Sequence, residues 1–152
     1  NVQRCYIRCG VSEKGEMYLA SVYFGGHPIS HTGIRLSLKD GQFATTASIP
    51  FDGGLNYRFK DMGNTTEVVT YKGENGMEAI KFIYVNQKER IKVEYTGGKP
   101  YVIYIADGDK RAIVATYDLA TVLSDVENMR TLKAKSEKKI AYLKAKLTDD
   151  GE

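Results

Sequence analysis

Apolar and polar residues alternate in short runs over the first 117 positions, and each run stops at a turn signal. Ile34, Leu36 and Leu38 alternate with Arg35, Ser37 and Lys39, and Asp40-Gly41 follows. A period of two puts alternate side chains on opposite faces of a strand, and Asp-Gly tolerates the positive φ of a tight hairpin turn. Phe43, Ala47, Ile49 and Phe51 continue beyond that turn, with Thr45 on the same face. Leu55, Tyr57 and Phe59 alternate after Asp52-Gly53-Gly54, and Ile91, Val93 and Tyr95 do so before Gly97-Gly98. Met17 to Phe24 and Thr66 to Lys72 also read as strands. Glu78 to Asn86 and Tyr101 to Ile105 are apolar on both faces, which predicts strands covered on both sides. Asp107-Gly108-Asp109 reads as a turn into a last strand, Arg111 to Tyr117. The pattern predicts a mainly β fold, an antiparallel β-sandwich or barrel-like body of about nine or ten strands at roughly 8–12-residue spacing.

At Asp118 the period changes. Leu119, Val122, Val126 and Met129 recur at helical spacing, and Ile140, Leu143 and Leu147 resume it. Asp118 is a plausible N-cap, because its carboxylate can accept from free backbone N–H groups. Acids lie early in this stretch and bases late, which complements the helix dipole. The expected division is a β body over 1–117, a long amphipathic helix over 118–147 and a disordered tail over 148–152. The heptad begun at Leu119 places Lys133 and Ser136 in the apolar seam, so a polar gap separates two apolar stripes. The first stripe is expected to pack on the β body. The second, Ile140, Leu143 and Leu147 with Tyr142 nearby, is the candidate surface for self-association or a protein partner, against the plainer reading that it packs on its own sheet.

Composition adds limits. A chain of 152 residues suits one domain with its own core. Gly at 15 and Pro at 3 fit many tight turns, and 11 Tyr residues fit half-buried strand surfaces. The net charge of +3 is too small to imply a polyanion partner. Arg130, Lys133, Lys135, Lys138, Lys139, Lys144 and Lys146 concentrate the positive charge in the helix, where a solvated face is the plain reading and no nucleic-acid partner is expected. No run of about 18 apolar residues appears, so no transmembrane segment is expected. The chain starts at Asn1, which fits a processed, exported product or a trimmed one. Cys5 and Cys9 alternate with Arg4, Tyr6 and Arg8. A straight strand would hold their Cα atoms roughly 13 Å apart, beyond the roughly 4.4–6.8 Å that a disulfide requires. Reduced, buried thiols are therefore expected unless a bulge folds the stretch.

The chemistry-bearing residues are sparse. His27 and His31 share one loop, and on a helix their spacing could hold zinc. Gly25, Gly26 and Pro28 argue against a helix there, so loop histidines are the plain reading and no cofactor is expected. Asn64-Thr65-Thr66 matches a glycosylation acceptor, which matters only in a eukaryotic secretory pathway. None of the nucleophile-elbow, phosphate-loop, dinucleotide or zinc-protease motifs occurs. Tyr6 and Tyr18 are candidates for an exposed aromatic platform. The leading expectation is a non-enzymatic binding or structural module of the cell envelope or extracellular space, acting through a strand edge or the distal helix. The alternatives are a metal-dependent enzyme or small-ligand protein centred on His27 and His31, and an assembly subunit joined through its helix.

Overall fold

The computed structural model describes residues 3–150. One antiparallel sheet has the order β1 (Tyr6–Val11), β2 (Met17–Gly25), β6 (Asn64–Lys72), β5 (Asn56–Asp61). The other has the order β4 (Phe43–Thr45), β3 (Gly33–Ser37), β7 (Lys92–Thr96), β8 (Tyr101–Tyr104). Among the described residues there are two helices, α1 (Glu74–Val85) and α2 (Asp107–Asp150). The mainly β body and the long C-terminal helix are present, with eight strands among the described residues where about nine or ten were expected.

Turn chemistry accounts for the hairpins. Ser37 pairs with Phe43 across the turn containing Asp40-Gly41, with Gly41 at φ 95° and the Asp40 carboxylate accepting from the Gln42 N–H. β5 and β6 join through Met62 and Gly63, at φ 51° and 82°, between the paired Asp61 and Asn64. Two central residues at positive φ match the right-handed twist of the flanking strands. The run from Phe43 to Phe51 keeps strand geometry only to Thr45.

Several expectations are corrected. Glu78 to Val85 lies in helix α1, with Asn86 as its C-cap, and not in a strand. Gly76, Ala79, Ile80 and Ile83 are its buried residues, and their spacing is helical rather than twofold. Arg111 to Tyr117 belongs to α2, which starts at Asp107. Ile113 and Ala120 are buried there and Tyr117 packs beside the core, again at 3–4 spacing. Asp107-Gly108-Asp109 is the helix's first turn, and Asp118 is an interior residue that accepts a hydrogen bond from the Tyr84 hydroxyl at 2.8 Å. β8 is an edge strand rather than a covered one, and its outer Tyr104 lies beneath the Arg90 guanidinium at 3.7 Å. At the far end, 148–150 are helical, while 151 and 152 lie outside the described residues.

One core joins all layers. Ile7, Leu19, Val69 and Tyr71 from the first sheet meet Ile34, Leu36, Val93 and Tyr95 from the second, with Ile80, Ile83 and Ile113 from the helices. Gly15, in the β1–β2 turn at φ 85°, lets α2 approach. A Cβ there would lie 2.6 Å from the Ser124 nitrogen and 2.7 Å from the Ala120 oxygen, both rigid helix backbone. Arg4 also holds the start of α2, donating to both oxygens of Asp109 at 2.7 and 2.8 Å. Cys5 and Cys9 are free and half-buried, and burial pushes the Cys9 thiol up to about 12.

Candidate functional site

Three features merit a functional reading: a buried polar ladder, the outer face of the first sheet, and the free length of α2.

The ladder is built on inward positions of the first sheet. Glu67 shares the inner face of β6 with Val69 and Tyr71, and Ser21 lies on the neighbouring β2. The chain leaving β2 crosses to the second sheet through residues 26–32 and there meets the Glu67 carboxylate. Glu67 Oε2 accepts from the N–H groups of Ile29 and Ser30 at 2.7 and 2.8 Å, and Oε1 from the His31 N–H at 2.9 Å. Ser30 takes φ 55° in this loop. Successive N–H groups around a left-handed residue form a concave anion cradle, and here a carboxylate fills it. His31 Nδ1 donates to Glu67 Oε1 at 2.8 Å. Its Nε2 lies 2.9 Å from Ser21 Oγ, which lies 2.9 Å from the Tyr71 hydroxyl. Tyr95 of the second sheet packs its ring on His31 and donates its hydroxyl to the Val22 carbonyl at 2.7 Å.

Ser21, His31 and Glu67 follow the order of a nucleophile, its base and the group that orients the base. Their exposures are 0 %, 1 % and 2 %, so no substrate reaches Ser21 in this structure. Burial works to raise the Glu67 carboxyl, but the His31 ring and the three backbone N–H groups outweigh it and hold the carboxyl at about 2. Burial likewise pushes the Tyr71 hydroxyl up to about 12. Among the described residues no buried side-chain nitrogen or oxygen lacks a partner. The ladder is therefore a lock between the crossover loop and both sheets.

The structure does not bring His27 and His31 together as a ligand pair. Both His31 ring nitrogens are engaged in the ladder, while His27 is exposed and only its carbonyl is used, accepting from the Tyr23 hydroxyl at 2.7 Å. Among the described residues no group of three or more His, Cys, Asp or Glu side chains is placed to share a metal ion. A cleft between α2 and the segment that follows α1 is lined by Lys88, Asp107, Lys110, Arg111 and Asp118. Lys110 there is buried and donates to the Glu89 carbonyl at 2.6 Å, so its charge serves the fold.

The outer face of the first sheet is different. The register aligns Tyr6, Val22, Val68 and Tyr57 in one row, and Phe24, Thr66 and Phe59 in the next. Val22 and Val68 form the floor of a groove walled by Tyr6, Phe24, Tyr57 and Phe59, with Arg8 and Asp61 at its rim. Tyr57 and Phe59 are exposed and stack at 6.3 Å with an interplanar angle of 17°. They sit on β5, whose outer edge pairs with no described strand. Tyr18 lies on the same face, where Arg8 donates to its hydroxyl. The sequence pointed to Tyr6 and Tyr18 but missed Tyr57 and Phe59, although their two-residue spacing carried the signal.

The apolar residues through which α2 meets the core are Ile113, Tyr117 and Ala120. The first stripe does not pack on the body: Leu119, Val122, Val126 and Met129 are exposed, as are Ile140, Leu143 and Leu147. Tyr142 is exposed too and lies off the seam. Among the described residues no helix is long and apolar enough to cross a membrane. Comparison with models of known protein families, with curated proteins and with solved structures finds no match for this chain.

Proposed function

We propose that the protein is a non-enzymatic binding module that recognises an extended polypeptide at the free edge of β5. The observation that carries this reading is the coincidence of an unpaired strand edge with the stacked Tyr57 and Phe59 beside it. An added strand would gain main-chain hydrogen bonds from the edge and set alternate side chains beside Tyr57 and Phe59. In this reading the two antiparallel sheets around one core form a sandwich-like scaffold, to which β5 is held by its pairing with β6. The non-enzymatic reading draws support from the sealed Ser21–His31–Glu67 ladder, whose groups are committed to the fold. The metal-dependent alternative at His27 and His31 draws no support from their positions. An exported or cell-envelope setting is part of the same proposal, and fractionation of the native source tests it.

The test is selection from a library of displayed peptides, followed by affinity measurement on Tyr57→Ala/Phe59→Ala. Both side chains are exposed, so the body stays folded. Peptides that lose at least tenfold in affinity on the variant support the reading. Peptides that bind both proteins equally, or a selection that returns none, overturn it.

A further inference from the structure

We infer that α2 is a dimerisation element that pairs in antiparallel orientation with α2 of a second copy of this chain. This inference is independent of the β5 edge. The helix has 44 residues, so it is about 66 Å long at roughly 1.5 Å per residue. Only its first part touches the body, on the face of Ile113, Tyr117, Ala120 and Ser124. A second face recurs at strict three–four spacing: Leu119, Val122, Val126, Met129, Lys133, Ser136, Ile140, Leu143 and Leu147. At about 100° per residue the two faces lie on nearly opposite sides of the helix. The apolar members of the second face run from 39 % exposed at Val126 to 71 % at Leu147. A seam of this length facing water over several heptads, on the side away from the body, is the pattern of a coiled-coil partner surface.

Register and charge identify the occupant as the same chain, running the other way. Antiparallel layers join a position of one heptad type to the complementary type on the partner. Placing Lys133 opposite Ser136 of the second copy puts Met129 opposite its Ile140, Val126 opposite its Leu143 and Val122 opposite its Leu147. The twofold axis repeats each layer. The apolar positions from Val122 to Leu147 then each meet an apolar one, the two polar positions meet each other at the centre, and Leu119 falls at the end of the seam opposite Asp150. Flanking positions agree: Asp125 falls beside Lys146 of the second copy, and Arg130 beside its Glu137. The acidic half of the helix, Asp118 to Glu127, overlies the basic half, Lys138 to Lys146. Parallel pairing in register would instead set Lys133 against Lys133 and Lys139 beside Lys144, which is repulsive. The central polar layers thus fix both orientation and register, as buried polar positions do in coiled coils.

Sedimentation equilibrium of the full chain at micromolar concentration measures the mass. Ile140→Asp/Leu143→Asp changes only exposed side chains, and an unchanged strand signal in circular dichroism confirms a folded body. The expected result is twice the chain mass for the parent and the single chain mass for the variant. A parent of any other mass, or a variant that still dimerises, overturns the inference. Orientation is read by disulfide mapping with peptide mass spectrometry. Met129→Cys mixed with Ile140→Cys is expected to cross-link between the two positions, and Met129→Cys alone to give no bond between its own copies. A Met129→Cys self-disulfide overturns the antiparallel register.

Discussion

Helix α1 and the outer length of helix α2 draw on the same apolar residue types, and the fold treats them in opposite ways. α1 buries Ala79, Ile80 and Ile83 completely, and Gly76 lets it sit against Tyr71 and Leu19. α2 buries Ile113 and Ala120, then carries Val122, Val126, Met129, Ile140, Leu143 and Leu147 into water. The two helices differ in where each apolar stripe is buried. A short helix covered by sheets finishes its packing within the chain. A long helix uses one stripe on the body and keeps a second, nearly opposite, for a surface outside it. An isolated helix with no cover over that length is marginal in water, and a partner on the seam supplies the missing cover.

The comparison can be broken from the inside first. Glu67→Ala leaves His31 and three backbone N–H groups buried without their acceptor. The expected cost is about 3–5 kcal/mol in denaturant unfolding, as for a buried pair that loses one member. Ile113→Ala removes the body-facing anchor of α2 and is expected to cost about 2–5 kcal/mol. Gly15→Ala forces a Cβ against helix backbone at a positive φ, with an expected cost of about 1–3 kcal/mol and weaker docking of α2 on β1. Leu143→Ala changes an exposed side chain and is expected to shift single-chain stability by less than about 0.5 kcal/mol. If Leu143→Ala destabilises the isolated chain as much as Ile113→Ala does, the two stripes are not distinct.

Acid sharpens the same contrast. The folded Glu67 carboxyl lies at about 2, below its ordinary 4.5, so folding favours the ionised form. The stability it contributes is complete above the unfolded value and is lost as pH falls from about 4.5 through about 2. Unfolding monitored over that range is expected to show a drop that Glu67→Gln removes. Equal acid sensitivity in both proteins would contradict the role given to the ladder.

The hairpins were legible because Asp40-Gly41 states its own backbone requirement. The mainly β body and the presence of a C-terminal helix were legible from the change of period. α1 was not, because Glu78 to Asn86 is apolar enough to satisfy either period, and Gly76 falls where a turn was equally natural. The start of α2 was obscured in the same way by Asp107-Gly108-Asp109, which is as compatible with a first helical turn as with a hairpin. The ladder was out of reach because Ser21, His31 and Glu67 meet only through pairing of β2 with β6 and the path of the crossover loop. One signal did exist: Glu67 shares the inward period of Val69 and Tyr71, so a carboxylate was bound for the core. The heptad that places Lys133 and Ser136 in the seam was visible from the start. What the fold adds is that Ile113, Tyr117 and Ala120, not that seam, meet the body.

Hydrogen exchange along α2 distinguishes a free helix from a paired one, because the two differ most in backbone opening. Strong protection of residues 122–147 is expected at high protein concentration, lost on dilution and absent in Ile140→Asp/Leu143→Asp, with the body unchanged. Rapid exchange over 122–147 at every concentration, or protection that the seam variant retains, would contradict the pairing.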